Sequence, residues 1–147
     1  MSLTRRELCL ILPAAILPAA AIVEELAAQD AALPSATWTF DQLPMEAENG
    51  AEFRPVLKGK LATGESLETH ETTLPAGGAP HPPHHHAHSE MWLIREGTVE
   101  ITINGAPHQI GPGGVGFVRS NEEHGIKNVG TTAAKYFVVA VGPGAGS

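Results

Sequence analysis

From residue 90 onward the apolar and polar positions follow short, regular patterns broken by turn residues. Val99, Ile101 and Ile103 interleave with Thr98, Glu100 and Thr102, which predicts a strand buried on one face. Asn104-Gly105 comes next, the strongest short-range hairpin signal because both residues accept the positive φ of a type I′ turn. The chain then returns through Pro107 to Ile110. Met91-Trp92-Leu93-Ile94 is a fully apolar run ended by Gly97, and Gly111-Pro112-Gly113-Gly114 marks a tight turn. Strands are predicted over Val115–Val118, Gly125–Val129 and Lys135–Val141, with a loop at Ser120–Glu123. Upstream, Phe53–Leu57 reads as a short strand that Pro55 confines to an edge or a bulge. Met45–Ala51 reads as a polar turn, and Gln29–Leu43 as a linker running into a first edge strand that carries Trp38 and Phe40.

Ser66–Leu74 is extended but polar on both faces: Glu68, His70 and Thr72 on one, Thr69, Glu71 and Thr73 on the other. One of these faces must point inward in any closed sheet, so the interior here is expected to be a polar binding cavity. Strands recur every eight to twelve residues or so, with turn chemistry between them, and no helical period survives past the N-terminal segment. The fold class is all-β, a sandwich or barrel.

Composition alters this picture in few places. A chain of 147 residues makes one domain, and its 16 glycines and 12 prolines fall in short clusters that suit tight turns. A formal charge of -7 leaves no basic face, which excludes nucleic acid as an expected partner. The N-terminus reads as an export signal: Arg5-Arg6 after Thr4, then an apolar run from Leu8 to Val23 interrupted by Pro13 and Pro18. The run is short for a spanning helix. The arginine pair resembles a twin-arginine signal lacking the usual trailing lysine. Residues 1–28 are therefore expected to be a signal peptide, with cleavage after Ala21 or after Ala28, leaving no stable membrane insertion. The mature protein would be periplasmic or extracellular. Cys9 lies in the removed segment, so no disulfide is expected.

The candidate chemistry is concentrated between Gly78 and Gly97. Five of the eight histidines lie there (His81, His84, His85, His86 and His88), with Glu90 behind them. Imidazoles packed this densely need partners if partly buried. Together with a carboxylate they suit a divalent transition metal better than calcium or magnesium. His84 and His86 are two apart, so on an extended backbone both face one way and His85 the other.

The spacing Gly78-x5-His84-x-His86-x3-Glu90-x6-Gly97 resembles the first cupin motif position for position. Gly113-x5-Arg119-x-Asn121-x2-His124-x3-Asn128 is similar in spacing to the second, with Arg119 in the usual proline position and Asn121 in the usual glycine one. Asn tolerates the left-handed conformation that glycine serves there. The resemblance to small single-domain cupins implies a double-stranded β-helix, a jelly-roll barrel, over residues 44–147, with 29–43 as linker and edge strand. It also implies His84, His86, Glu90 and His124 as ligands of a divalent transition metal, whether manganese, iron, nickel, copper or zinc. Three neutral imidazoles and one carboxylate would leave the ion net positive charge and about two open positions. Asn128 is expected to be structural, His85 and His108 to face solvent, and His70 and His81 to stand at the cavity mouth or on the surface.

Three functions fit such a site. The first is a metal-dependent oxidoreductase of the dioxygenase kind acting on a small anionic or phenolic molecule, with Glu90 as catalytic base and His70 or Glu71 assisting from the wall. The second is a non-catalytic periplasmic carrier of metal or small ligand, and the third a redox-neutral isomerase or lyase. A homodimer through Trp38, Phe40 and the outer face of Met91–Ile94 is a further expectation.

Overall fold

The structure is a computed structural model and describes residues 32–146; the signal-peptide reading falls outside them. Among the described residues no helix is long and apolar enough to cross a membrane. Nine strands among the described residues form two antiparallel sheets. They are β1 (Glu46–Glu48), β2 (Ala51–Lys60), β3 (Ser66–Leu74), β4 (Ser89–Glu96), β5 (Val99–Ile103), β6 (Ala106–Ile110), β7 (Val115–Val118), β8 (His124–Asn128) and β9 (Ala134–Val141). The larger sheet runs β1-β2-β3-β9-β4-β7 and the smaller β6-β5-β8.

Alternation along the strands decides what lies between the sheets. On β9, Ala134, Tyr136, Val138 and Ala140 are buried, while the residues between them are partly exposed. Across the large sheet Tyr136 pairs with Thr72 and Ile94, and Val138 with His70 and Trp92. From the small sheet Val99, Ile101 and Ile126 meet this face, and with Trp92, Ile94, Val118 and Leu74 they form the core. Burial of these side chains contributes roughly 1.5–3 kcal/mol each toward the cost of ordering the chain.

Two backbone positions show why particular residues are needed. Gly97 has φ +79, and a Cβ there would lie 2.7 Å from Ala134 Cα, so the turn out of β4 accepts glycine alone without rearrangement. Asn121 has φ 64, the left-handed conformation expected of it.

Several local expectations change. Residues 33–43 form no edge strand: the chain makes a single parallel bridge from Ala32 to Lys60 and then a 3-10 turn at Phe40–Gln42. Phe40 is instead held by the Arg54 guanidinium, 4.3 Å above its ring. The turn expected over Met45–Ala51 is itself a hairpin, with β1 and β2 joined at Asn49-Gly50, where both φ angles are positive. Pro55 does introduce an irregularity, yet β2 continues to Lys60. The stretch around His84–His86 is a bent loop with one antiparallel bridge, His84 to His124, rather than a strand.

Candidate metal centre

The first histidine cluster and His124 are brought together by backbone hydrogen bonds, not by side-chain attraction. The amides of His84 and His124 donate to each other's carbonyl at 2.9 and 2.8 Å, and the Asn121 amide donates to the His86 carbonyl at 2.8 Å. Asn128, fully buried, locks the far end of β8. Its Nδ2 donates to the carbonyls of Leu74 and Thr132, and its Oδ1 accepts from Gly130. As expected, its role is structural.

His84, His86 and His124 each bring a ring nitrogen within 4.8 Å of the other two. Glu90, the second residue of β4, faces the same point, with Oε2 3.0 Å from His86 Nε2 and 3.9 Å from His124 Nε2. The two imidazoles nearest the carboxylate are oriented from behind. His86 Nδ1 lies 2.9 Å from the His88 carbonyl, and His124 Nδ1 2.8 Å from the Glu122 carbonyl. A neutral imidazole has one N–H, and a backbone carbonyl claims it at Nδ1, which leaves the Nε2 lone pair facing the centre.

In that tautomer a lone pair faces a carboxylate at 3.0 Å, a repulsion that a cation or a proton shared between them removes. Two ring nitrogens, His84 Nδ1 and His124 Nε2, are buried with no hydrogen-bond partner, a cost an ion would remove. Burial, helped by the neighbouring His81, His124 and His86, lowers the His84 pKa to about 4, which keeps its imidazole in the neutral form that ligates a metal. The donor set therefore fits a divalent transition metal.

The remaining histidines occupy graded positions. His88 stacks on His86 with ring centroids 3.5 Å apart, and with His86 and Glu90 it forms a second group able to hold a cation. Burial first, then His86, lowers its pKa. His81 is exposed and meets His84 edge-on at 4.2 Å. His85 and His108 are exposed, as parity and the hairpin position imply.

Beside this centre a cavity of about 260 Å³ opens between the sheets, with Glu90 and His124 in its wall. Phe53, Trp92 and Tyr136 supply aromatic surface, and Glu48, Asn49, Pro80 and His81 lie at its edge. Asn49 Nδ2 donates to the Pro80 carbonyl, tying the β1–β2 turn to the proline loop. Among the described residues no lysine or arginine lines the cavity.

His70 does stand in this wall, but Glu71 does not. Strand parity sends Glu71 to the opposite face, where it is 2 % exposed and paired with Arg95. Its expected assistance at the site is thereby corrected. A contact that sequence reasoning passed over is the one between His70 Nδ1 and Glu68 Oε1, at 3.0 Å. Their spacing of two residues on one extended face was the available signal.

Comparison with known proteins agrees with this architecture. Residues 70–140 match the cupin domain family described as Cupin_2. No curated protein sequence matches the chain significantly. Among solved structures, an RmlC-like cupin from Shewanella frigidimarina superposes with a TM-score of 0.64 at 16% identity, covering 74% of this chain and 91% of its own. KdgF from Halomonas sp. gives 0.62 at 15%, covering 73% and 94%. A predicted oxalate decarboxylase from Thermotoga maritima gives 0.58 at 23%, covering 72% and 98%. With the alternating core, the paired motifs and these matches in hand, the described residues form a double-stranded β-helix, and residues 70–140 are similar to the cupin domain.

Proposed function

We propose that this protein is a metal-dependent enzyme, with His84, His86, Glu90 and His124 as ligands, acting on a small phenolic or enolic molecule. The observation that carries the reading is the convergence of three imidazoles and one carboxylate beside a cavity between the sheets, with two ring nitrogens left unpartnered. A bound dication would supply Lewis acidity toward a substrate oxygen and, if redox-active, a place for dioxygen.

The cavity narrows the substrate. Its volume of about 260 Å³ falls below the roughly 300–1,000 Å³ of pockets for drug-sized ligands, which suits a single ring or a short chain. Glu48 and Glu90 stand in a wall where the described residues include no lysine or arginine, so a multiply charged anion would have the metal alone to offset it. A phenol or enol brings less charge and finds aromatic surface at Phe53, Trp92 and Tyr136. In this reading those rings orient the substrate and exclude water, and Glu90 doubles as a proton acceptor when a substrate draws it from the ion.

Oxygen-dependent oxidation is the leading reaction class, and a redox-neutral isomerisation or elimination in the same cavity is the second. The solved neighbours' names point to several chemistries and single out none. A carrier role rests on a different observation, the crowding of His81 and His88 against the centre. Export to the periplasm or beyond belongs to the proposal as well. So does self-association through Leu93, Val115 and Phe117, exposed on the outer face of β4 and β7.

The test is metal analysis of the purified protein, then oxygen uptake and product analysis against a panel of small phenols and acids. Consumption of a phenol that stops in Glu90→Gln supports the enzyme. Stoichiometric metal with rapid exchange and no turnover replaces it with the carrier.

A further inference from the structure

We propose that His70 is the cavity's proton acceptor for a substrate hydroxyl, with Glu68 as the residue that positions it. This rests on the enzymatic reading above and assigns it a second working group, on the opposite sheet from His124.

The geometry is local and specific. Glu68 and His70 are two apart on β3, so both project from its inner face, and their side chains meet at 3.0 Å through Nδ1. The pair is half-buried, at 33% and 21% exposure. Glu68 lies outside the cavity wall, in a shallow acidic groove with Glu46 and Glu48, while His70 belongs to both groove and cavity. With Nδ1 committed to the carboxylate, Nε2 is the nitrogen left for the cavity, as a lone pair in the neutral ring. Phe53 stands edge-on to the imidazole at 5.8 Å and restricts its rotation. The hydrogen bond from His70 holds the Glu68 carboxyl below the usual carboxylate range, against the opposing effect of burial, so the partner stays charged.

The division of labour explains why a second base is useful. Glu90 already faces His86 and His124, and those imidazoles face it. His70 has no such engagement. A carboxylate behind an imidazole fixes its tautomer and stabilises the imidazolium once it forms. In the proposed step the substrate O–H bond breaks and its electron pair stays on oxygen. The proton goes to His70 Nε2, and the resulting charge is balanced by Glu68. No co-reactant is needed. The other ionisable groups near the pair are Lys58, His88 and Glu46 beside Glu68, and Glu48, His81, Glu90, His124 and Tyr136 round the cavity. As a structural pair alone, Glu68 and His70 would be an odd choice for an interior-facing strand whose next residues on that face, Thr72 and Leu74, are buried.

The test separates this claim from the wider function. Metal-loaded protein is treated with diethyl pyrocarbonate, which acylates the unprotonated ring nitrogen, and each histidine is followed by peptide mass spectrometry. Glu68→Gln is expected to slow acylation at His70 several-fold, Glu68→Asp to recover much of it, and the rate at exposed His108 to stay unchanged. Equal His70 rates in wild type and Glu68→Gln overturn the positioning claim. In parallel, His70→Gln is expected to bind metal as the wild type does while losing most of its kcat on a phenol with little change in KM. Lost metal would make His70 a ligand, and retained kcat would make it a bystander; either overturns the proposal. If the wild type consumes no phenol, the enzymatic reading fails, and the acylation experiment still decides whether Glu68 poises His70.

Discussion

His84, His86 and His124 meet through backbone hydrogen bonds between segments distant in the chain, whereas Glu68 and His70 meet because alternate residues on one strand share a face. The first group is only as good as the loops and caps that close the barrel around it. The second survives wherever β3 stays extended between β2 and β9. Damage to the fold should therefore fall on the two groups unequally, and metal affinity and His70 reactivity read them out separately.

Asn128→Ala gives the largest expected separation. It strips the buried Leu74 carbonyl and the Thr132 carbonyl of their donor and the Gly130 amide of its acceptor. At about 1 kcal/mol or more per lost bond, chemical denaturation should show a loss of about 3 kcal/mol. Metal affinity should fall because β8 carries His124, while acylation of His70 stays Glu68-dependent in the folded fraction.

Asn121→Ala is a smaller and more local break. An alanine at φ 64 costs about 1 kcal/mol, and the loop whose amide holds the His86 carbonyl should loosen. Titration with zinc should show weaker binding, and Asn121→Gly should restore it because glycine adopts that conformation freely. Restoration failing in the glycine variant would mean the side chain, not the backbone, supports His86.

Acid acts on both groups at once, visible in the metal-free protein. His84 has its folded pKa lowered to about 4 while the unfolded value stays at 6.5, so between these pH values the unfolded chain binds the extra proton. Stability is then expected to fall as the pH drops from 6.5 toward 4. Glu68, with its pKa lowered by His70, adds stability at higher pH that is lost on acidification below the usual carboxylate range. Denaturation midpoints across this range check the sign, and His84→Gln should flatten the upper part of the slope.

The same contrast governs what could be read from the residues. Strands β3, β5 and β7 were legible to their end residues because parity and turn chemistry are local. The two motifs likewise carried the identity of the four converging groups. Where the outcome depended on which face turns inward, sequence left it open: Glu71 and His70 looked equally able to reach the site until the sheet's packing chose between them. Strand β1 was missed because Glu46, Ala47 and Glu48 are all exposed and carry no apolar alternation. Its one signal was Asn49-Gly50, the same dipeptide that marked the β5–β6 hairpin. The segment before β1 turned out as a 3-10 turn because Phe40 packs under Arg54 on β2 instead of pairing along an edge.

The central claim is that four side chains from two separated motifs hold one divalent ion. X-ray absorption and metal analysis of the zinc-loaded protein, compared with His124→Ala, test it most directly. The account predicts one ion per chain in a shell of imidazole nitrogens with carboxylate oxygen, and loss of that ion or of one nitrogen scatterer in the variant. An unchanged shell and stoichiometry in His124→Ala would contradict it.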